Sequence, residues 1–232
     1  VLGEHCDGTL AEKVVVAAAS LAPRPAHLGW EEAAAFGLTY LTAWRMLFSR
    51  GRARAGETVL IHGIGGGVSL ACLQLAKLAG CRTIVTSRSE AKLARAAGLG
   101  ADHLLPADEQ VARGVRALTA RRGAEIVVDS VGEATWMQSL KAVAKGGRIL
   151  TCGATAGPNP KEEIRLIFWN QLSILGSTMG SRDDWRRLVA AVTAEGLRPV
   201  VDSVVPLAEG RTAYNRLEAA GQFGKIVLSI DG

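Results

Sequence analysis

A run rich in glycine, G-I-G-G-G-V at residues 63–68, lies between a short apolar segment and a segment with helical periodicity. Backbone amides at a helix N-terminus attract phosphate, and residues without side chains let the phosphate approach closely. The run therefore predicts a site for the pyrophosphate of a dinucleotide. A turn without a ligand is the alternative, and the strand and helix alternation that follows favours the phosphate site. The predicted contact residues are Gly65, Gly66, Gly67 and Val68.

The residues about 20 positions beyond these glycines indicate which dinucleotide fits. A domain that prefers NAD has an acidic residue there, whereas this segment reads T-S-R-S and contains none. Ser87 and Arg88, with Lys92 one turn further on, would bind a 2′-phosphate through charge-assisted hydrogen bonds. We therefore predict NADP(H) as the cofactor. The alternative is that Arg88 and Lys92 are ordinary solvated side chains.

The cysteines are scattered and form no C-x-x-C pair, which argues against both a zinc site and a disulfide framework. Cys72 and Cys152 lie in apolar segments, where a thiol usually packs as a small hydrophobic group. We therefore predict no zinc within this chain and expect a cytoplasmic protein. The four cysteines are Cys6, Cys72, Cys81 and Cys152.

The chain of 232 residues carries 27 Lys and Arg against 22 Asp and Glu, a net charge of +5. These basic residues are spread along the sequence with few aromatic residues beside them, so we expect no nucleic-acid partner. Every apolar run is shorter than the roughly 20 residues that a membrane helix needs. We therefore expect a chain without a membrane partner, whose ligands are small molecules.

Short apolar runs alternate with helical patterns from Thr58 onward. The runs are almost continuously apolar, which is typical of strands buried on both faces, and the intervening segments are long enough for crossover helices. This pattern predicts an α/β fold with a doubly wound, parallel six-stranded sheet of the Rossmann type. The strand candidates are T-V-L-I-H-G, T-I-V-T-S, H-L-L-P, E-I-V-V-D-S, R-I-L-T-C-G and S-I-L-G-S-T-M.

Further elements are predicted on both sides of this sheet. A helix is expected from Trp30 to Met46, because a turn-rich segment precedes it and two glutamates suit the dipole of its first turn. A second helix is expected from Arg182 to Glu195. A strand V-V-D-S-V-V, a helix from Leu207 to Ala220 and a strand K-I-V-L-S-I follow, and they could belong to another lobe.

Several motifs together resemble the medium-chain dehydrogenase/reductase family, especially its zinc-type alcohol dehydrogenase-like and quinone oxidoreductase-like branches. The resemblance covers nearly the whole chain. The motifs are G-E-H-C-D-G-T-L-A-E, E-E-A-A-A-F-G-L-T-Y-L-T-A-W-R-M-L, H-G-I-G-G-G-V-S-L-A-C-L-Q-L-A-K, G-A-D-H, V-V-D-S-V-G, G-G-R-I-L-T-C-G and F-G-K-I-V-L.

The resemblance assigns further residues to the cofactor. It implies that Thr42 contacts the phosphates together with the glycine loop. It also implies that residues at the carboxyl ends of parallel strands, where ligands of such sheets bind, approach the nicotinamide end. Packing is the alternative role for Val131 and Met179. The implied residues are Val131, Gly132, Gly153, Thr178 and Met179.

The resemblance also implies a domain organisation. Residues 1–29 resemble the end of a GroES-like catalytic lobe, residues 30–196 an NADP-binding domain, and residues 197–232 a segment that returns to the lobe. Most of the leading part of that lobe would be missing before Val1. Leu38 stands near the position where zinc-dependent alcohol dehydrogenases have a catalytic cysteine, so any zinc ligands would come from the missing part.

A second departure from the family concerns the adenosine. Family members often carry an Asn-Tyr pair after the third strand, and its tyrosine flanks the adenosine. Pro106 and Ala107 replace that pair here. The resemblance therefore implies a looser adenine pocket.

These observations predict an NADP(H)-dependent oxidoreductase that transfers hydride to or from an alcohol or carbonyl, an enone or a quinone. The alternative is a dinucleotide-binding module without turnover, either a remnant or a redox-sensing regulator. The catalytic residues and the substrate are not identifiable from the sequence.

The sixth strand, from Ser173 to Met179, is predicted to form a sheet edge. It is apolar, uncharged and free of proline, and such an edge favours pairing with a symmetry mate. The resemblance implies the same arrangement, a homodimer with a continuous sheet. The alternative is that the C-terminal segment or the missing lobe covers this edge.

Overall fold

A central sheet of six parallel strands organises the chain in the computed structural model, which describes residues 2–230. The expectation drawn from Val1 falls outside this range. The strands follow the order β3-β2-β1-β4-β5-β6, which confirms the predicted Rossmann-type fold. They are β1 (Thr58–Ile61), β2 (Arg82–Ser87), β3 (His103–Pro106), β4 (Ala124–Val128), β5 (Val143–Thr151) and β6 (Ser173–Gly176).

Helices follow most of the strands, and a small parallel pair of strands ends the described chain. The helices are α1 (Trp30–Trp44), which continues as a π-helix over Arg45–Arg50, α2 (Gly67–Leu78), α3 (Glu90–Gly98), α4 (Val111–Leu118), α5 (Trp136–Ala142), α6 (Ile164–Trp169), α7 (Arg182–Ala194) and α8 (Gly210–Glu218). The pair consists of β7 (Val201–Pro206) and β8 (Lys225–Ser229).

The two faces of the sheet bury separate apolar cores. On β1, Val59 and Ile61 pack on the face that α1 and α2 cover, and Leu60 packs on the opposite face against α4 and α5. All three side chains are fully buried. Successive side chains of a strand point to opposite faces, so burial on both faces requires the continuous apolar runs seen in the sequence.

Several boundaries differ from the sequence-based predictions. The sixth strand ends at Gly176 and not at Met179, whose φ of +50° turns the chain out of the extended conformation. β5 begins at Val143, before the apolar run, because Val143 pairs with Ala124 across an irregular register. Among residues 2–230, no helix is long and apolar enough to cross a membrane.

Candidate functional site

The glycine loop joins β1 to α2 at the carboxyl edge of the sheet. Ile64 donates to the carbonyl of Thr86 at 2.8 Å, which fixes the loop beside β2. The hydroxyl of Ser69 lies 2.9 Å from the carbonyl oxygens of both Gly63 and Gly66, so it braces the loop from inside. The first amides of α2 have no carbonyl partner within the helix, as at any helix start, and can receive an anion.

Three other elements converge on this loop and leave no room for side chains. A Cβ at Gly65, whose φ is +117°, would lie 2.8 Å from Cδ of Lys92. A Cβ at Gly67 would lie 2.8 Å from Cγ2 of Thr39 and 3.0 Å from Cδ of Lys225. The glycines therefore bring α1, α3 and β8 against the loop. The resulting cradle of bare backbone and two lysines suits a pyrophosphate.

The residues predicted to bind a 2′-phosphate lie at the end of β2. Ser87 is buried, and its hydroxyl oxygen accepts a hydrogen bond from the amide of Ser89 at 3.1 Å. Arg88 is exposed. Lys92 extends along the glycine loop, and its Nζ donates to the carbonyl of Ala220 at 2.6 Å. The structure thus places Lys92 between the predicted 2′-phosphate site and the loop.

The charges around Lys92 favour an anionic ligand. Burial lowers the pKa of the Lys92 ammonium, the carboxylate of Asp202 opposes this effect, and the nearby guanidinium of Arg88 adds to it. Arg216 and Arg95 already pair with Asp202, at 3.0 and 3.8 Å. The local excess of positive charge would therefore be relieved by a bound phosphate.

Thr42 of α1 and Met179, which follows β6, are in contact. The hydroxyl of Thr42 donates to the carbonyl of Leu38 at 2.8 Å, and its oxygen lies 3.9 Å from Sδ of Met179. Thr178 is exposed beside them, whereas Ser177 is buried and its hydroxyl has no hydrogen-bond partner within residues 2–230. Thr178, Met179 and a buried hydroxyl without a partner in the described chain thus follow one another after β6, and Met179 contacts Thr42.

A buried carboxylate holds the loop after β4. Asp129 accepts hydrogen bonds from the amides of Val131 and Gly132, both at 3.0 Å. The side chain of Val131 packs against the glycine loop, since a Cβ at Gly63 would lie 3.1 Å from its Cγ2. Gly153 is exposed at the end of β5, and a Cβ there would meet only the Ser130 carbonyl, at 3.7 Å. A side chain at Gly153 would thus meet little beyond this carbonyl.

Sequence reasoning missed Lys225. It begins β8, far along the chain from the glycines, yet Gly224 donates to the carbonyl of Gly65 at 2.9 Å. Burial lowers the pKa of Lys225 below its ordinary value. The motif F-G-K-I-V-L contains this lysine, but a single lysine at the start of a strand gives no sign of its distant contact.

The described residues offer no metal centre. Within residues 2–230, no group of three or more His, Cys, Asp or Glu side chains is arranged to hold a metal ion. Burial raises the pKa of the Cys152 thiol to about 11 and that of Cys72 well above its ordinary value, as expected for thiols that pack in the core. Leu38 is half exposed beside the cleft. The absence of zinc from this chain stays a prediction.

Comparisons with known proteins agree with this geometry. The family model for zinc-binding dehydrogenases matches residues 67–194. A zinc-type alcohol dehydrogenase-like protein of Schizosaccharomyces pombe is 35% identical, over 99% of this chain and 68% of its own length.

Two solved structures are similar to the whole fold. An NAD-dependent alcohol dehydrogenase has a TM-score of 0.95 and 44% identity, over 100% of this chain and 68% of its own. A 2-octenoyl-CoA carboxylase reductase, in complex with NADP and 2-octenoyl-CoA, has a TM-score of 0.87 and 30% identity, over 95% of this chain and 54% of its own. The chain is therefore a member of the zinc-binding dehydrogenase family, within the medium-chain dehydrogenases/reductases.

Proposed function

We propose that this chain binds NADP(H) and acts in an oxidoreductase that transfers hydride between the nicotinamide and an alcohol or carbonyl, an enone or a quinone. The observation that carries the proposal is the end of β2, where Ser87 and Arg88 stand in place of an acidic residue and Lys92 extends to the glycine loop. Solved relatives include an NAD-dependent enzyme and an NADP complex. The choice of cofactor therefore rests on the residues of this chain.

The two lysines at the loop support the phosphate part of the proposal. Lys92 lies against Gly65 and Lys225 against Gly67, so ammonium groups from α3 and β8 flank the start of α2. A pyrophosphate there would receive backbone amides from the helix and positive charge from both lysines.

The nicotinamide end is proposed to lie towards β6. Thr178 and Met179 follow this strand, and Met179 contacts Thr42 of α1, whose predicted role is to contact the phosphates. Val131 and Gly132, held by Asp129, lie nearer the glycine loop, and Gly153 follows β5. The protein's part in hydride transfer is to orient the two reactants and exclude competing reactions. The anion that hydride addition leaves takes its proton from water in this proposal, and we assign no catalytic acid or base.

A label-transfer experiment tests the enzymatic part of the proposal. NADPH carrying deuterium at both C4 positions is incubated with the chain and an aldehyde, an enone, a quinone or an enoyl-CoA. We expect the NADPH oxidised to equal the amount of at least one reduced product, with deuterium on carbon when that product comes from an aldehyde, an enone or an enoyl-CoA. The hydroxyl hydrogens of a hydroquinone exchange with water, so reduction of a quinone is followed by the oxidation of NADPH alone. Tight NADPH binding without oxidation of NADPH by any of these substrates would instead support the non-catalytic module.

We also propose that the chain forms a homodimer through β6. Ser173 and Ile174 are exposed on this edge strand, and the neighbouring helix α6 exposes large apolar side chains. Unpaired strand edges and clustered apolar surface both favour association with a second copy. The exposed apolar residues of α6 are Ile164, Phe168 and Trp169.

A further inference from the structure

A cleft of about 290 Å³ opens at the carboxyl edge of the sheet. The end of β1 forms one wall, the residues after β3 a second, and the starts of α4 and α5 the others. Its lining includes His62, Ala107, Val111, Thr135, Met137 and Gln138. Small-molecule sites measure roughly 300 to 1,000 Å³, so this cleft suits one ring system and not a whole dinucleotide.

His62 lines this cleft and carries a polar atom without a hydrogen-bond partner among residues 2–230. The residue is only 1% exposed, and its Nδ1 lies 3.2 Å from the hydroxyl oxygen of Thr86. Its Nε2 is buried and has no hydrogen-bond partner in the part of the chain that the structure describes. Buried polar atoms are rarely left unpaired, so a partner from the cleft would satisfy this nitrogen.

The imidazole of His62 can act as both donor and acceptor. Burial lowers its pKa, although the carboxylate of Asp129 opposes the effect, so the ring is neutral near pH 7. A neutral imidazole carries one nitrogen that donates and one that accepts. The Nε2 atom can therefore pair with a purine edge, which offers ring nitrogens and an amino group.

The cleft lies directly beside the residues proposed to hold the 2′-phosphate. The amide of Ala107, in its wall, donates to the carbonyl of Ser87 at 2.9 Å. Thr86, which contacts His62, is the residue before Ser87. An adenosine whose ribose phosphate is bound at Ser87 and Arg88 would thus have its base within this cleft. Ala107, Val111 and Met137 provide apolar surface for the ring.

We propose that His62 is a specificity-determining residue whose Nε2 hydrogen-bonds the edge of the adenine ring within this cleft. The inference rests on the proposed binding of NADP(H). The polar atom that would hydrogen-bond the adenine base is Nε2 of His62. A bridging water bound to Nε2 in place of the base is the competing arrangement, and the experiments below distinguish the two.

Nitrogen-15 spectra of the histidine-labelled wild-type chain provide the first test. Adenosine 2′,5′-bisphosphate is titrated in one sample and nicotinamide mononucleotide in another. We expect the Nε2 resonance of His62 to shift with adenosine 2′,5′-bisphosphate, with the dissociation constant that calorimetry gives, and to stay fixed with nicotinamide mononucleotide. If calorimetry shows the bisphosphate bound while this resonance stays fixed, the inference is overturned.

His62→Phe provides the second test, because it keeps an aromatic ring and removes the nitrogen. We expect its affinity for adenosine 2′,5′-bisphosphate to fall roughly fivefold to tenfold, the value of one neutral hydrogen bond. Affinity for nicotinamide mononucleotide should not change. His103→Phe, at the opposite end of β3, is the matched control and should bind both ligands as the wild type does.

The outcomes separate this inference from the proposed function. A wild-type chain that fails to bind NADPH would contradict the proposed function and the inference together. If the wild type binds NADPH and His62→Phe binds adenosine 2′,5′-bisphosphate as tightly as the wild type does, the result would contradict the inference alone. If His62→Phe does not fold, the nitrogen-15 spectra of the wild type alone test whether Nε2 contacts the adenine base.

Discussion

Single residues set the shape of the candidate site, mainly by being small or by fixing a neighbour. Glycines at positions 65 and 67 let three elements meet at the loop, and Asp129 holds the backbone after β4. The sequence identified the glycines because their spacing and position are distinctive. It did not reveal Asp129 or His62. The partners of Asp129 lie in the turn and helix that follow it, and His62 contacts Thr86 on β2, and neither arrangement has a distinctive sequence pattern.

The first residue-scale prediction concerns Gly67. In Gly67→Ala the new Cβ would press on Thr39, whose side chain is held in α1 by a hydrogen bond to Ala35. We expect the free energy of unfolding to fall by about 1–3 kcal/mol, as for other overpacked sites, in urea denaturation at pH 7.

Gly37→Ala is the control. Nothing lies within 4 Å of its Cβ position, and removing a helix glycine should add about 0.5–1 kcal/mol. An unchanged stability of Gly67→Ala would contradict the packing described.

The second prediction concerns Asp129. Its carboxylate also accepts hydrogen bonds from the hydroxyls of Thr135, at 2.8 Å, and Ser139, at 2.6 Å. Asp129→Asn would turn an amide donor towards this set of donors and remove the charge. We expect a loss of about 2–3 kcal/mol in the free energy of unfolding, measured by urea denaturation. The exposed substitution Asp183→Asn should cost less than about 0.5 kcal/mol. A similar small effect at Asp129 would count against its structural role.

At the scale of elements, α7 is fastened to the end of α1 by one carboxylate. Asp184 accepts hydrogen bonds from the amide of Ser181 at 2.8 Å, from Arg45 at 3.1 Å and from the hydroxyl of Ser49. Burial raises the pKa of Asp184, but the hydrogen bonds from Ser49, Ser181 and Arg45 lower it more, to about 2. This attachment fixes the start of α7 against the residues that follow α1.

The lowered pKa predicts how stability depends on pH. The folded value of about 2 lies below the ordinary value of 3.8, so the carboxylate stabilises the fold fully above pH 3.8. This stabilisation, about 2 kcal/mol, is lost as the pH falls from 3.8 towards 2. Asp184→Asn should therefore be less stable than the wild type at pH 6, and the difference should shrink below pH 4. Urea titrations across this range measure it, and a constant difference would contradict the assignment.

The elements show what sequence patterns can and cannot predict. Apolar runs gave all six strands of the main sheet, because strands buried on both faces must be apolar throughout. The pattern did not predict the π-helix at Arg45–Arg50 or the early start of β5 at Val143. Both depend on packing between distant segments: Arg45 binds Asp184, and Val143 pairs with Ala124.

At the scale of the whole molecule, the C-terminal pair of strands contributes to the surroundings of the glycine loop. β8 places Lys225 at the glycine loop, and Lys92 of α3 is bonded to Ala220 before β8. The parallel six-stranded sheet was predicted from the strand and helix alternation, but this long-range contact was not, because no local pattern encodes it. The candidate site therefore draws on residues from Thr39 to Lys225.

The predicted dimer also belongs to this scale. Leu175 packs partly against the main core, so a charge there would disturb the fold, whereas Ile174 is 36% exposed on the edge of β6. We expect Ile174→Lys to convert a dimer to a monomer in sedimentation velocity at micromolar concentration. Leu217→Lys, at an exposed apolar residue of α8, should leave the dimer intact. A wild-type chain that sediments only as a monomer would contradict the assembly.

The central claim is that the end of β2 selects NADP(H), and calorimetric titration of the wild type with NADPH and NADH tests it most directly. We predict that NADPH binds at least about tenfold more tightly, because Arg88 makes charge-assisted hydrogen bonds to the 2′-phosphate. Arg88→Ala should remove most of this preference without weakening NADH. Arg113→Ala, at an exposed residue of α4, should bind both cofactors as the wild type does. Equal or tighter binding of NADH by the wild type would contradict the account.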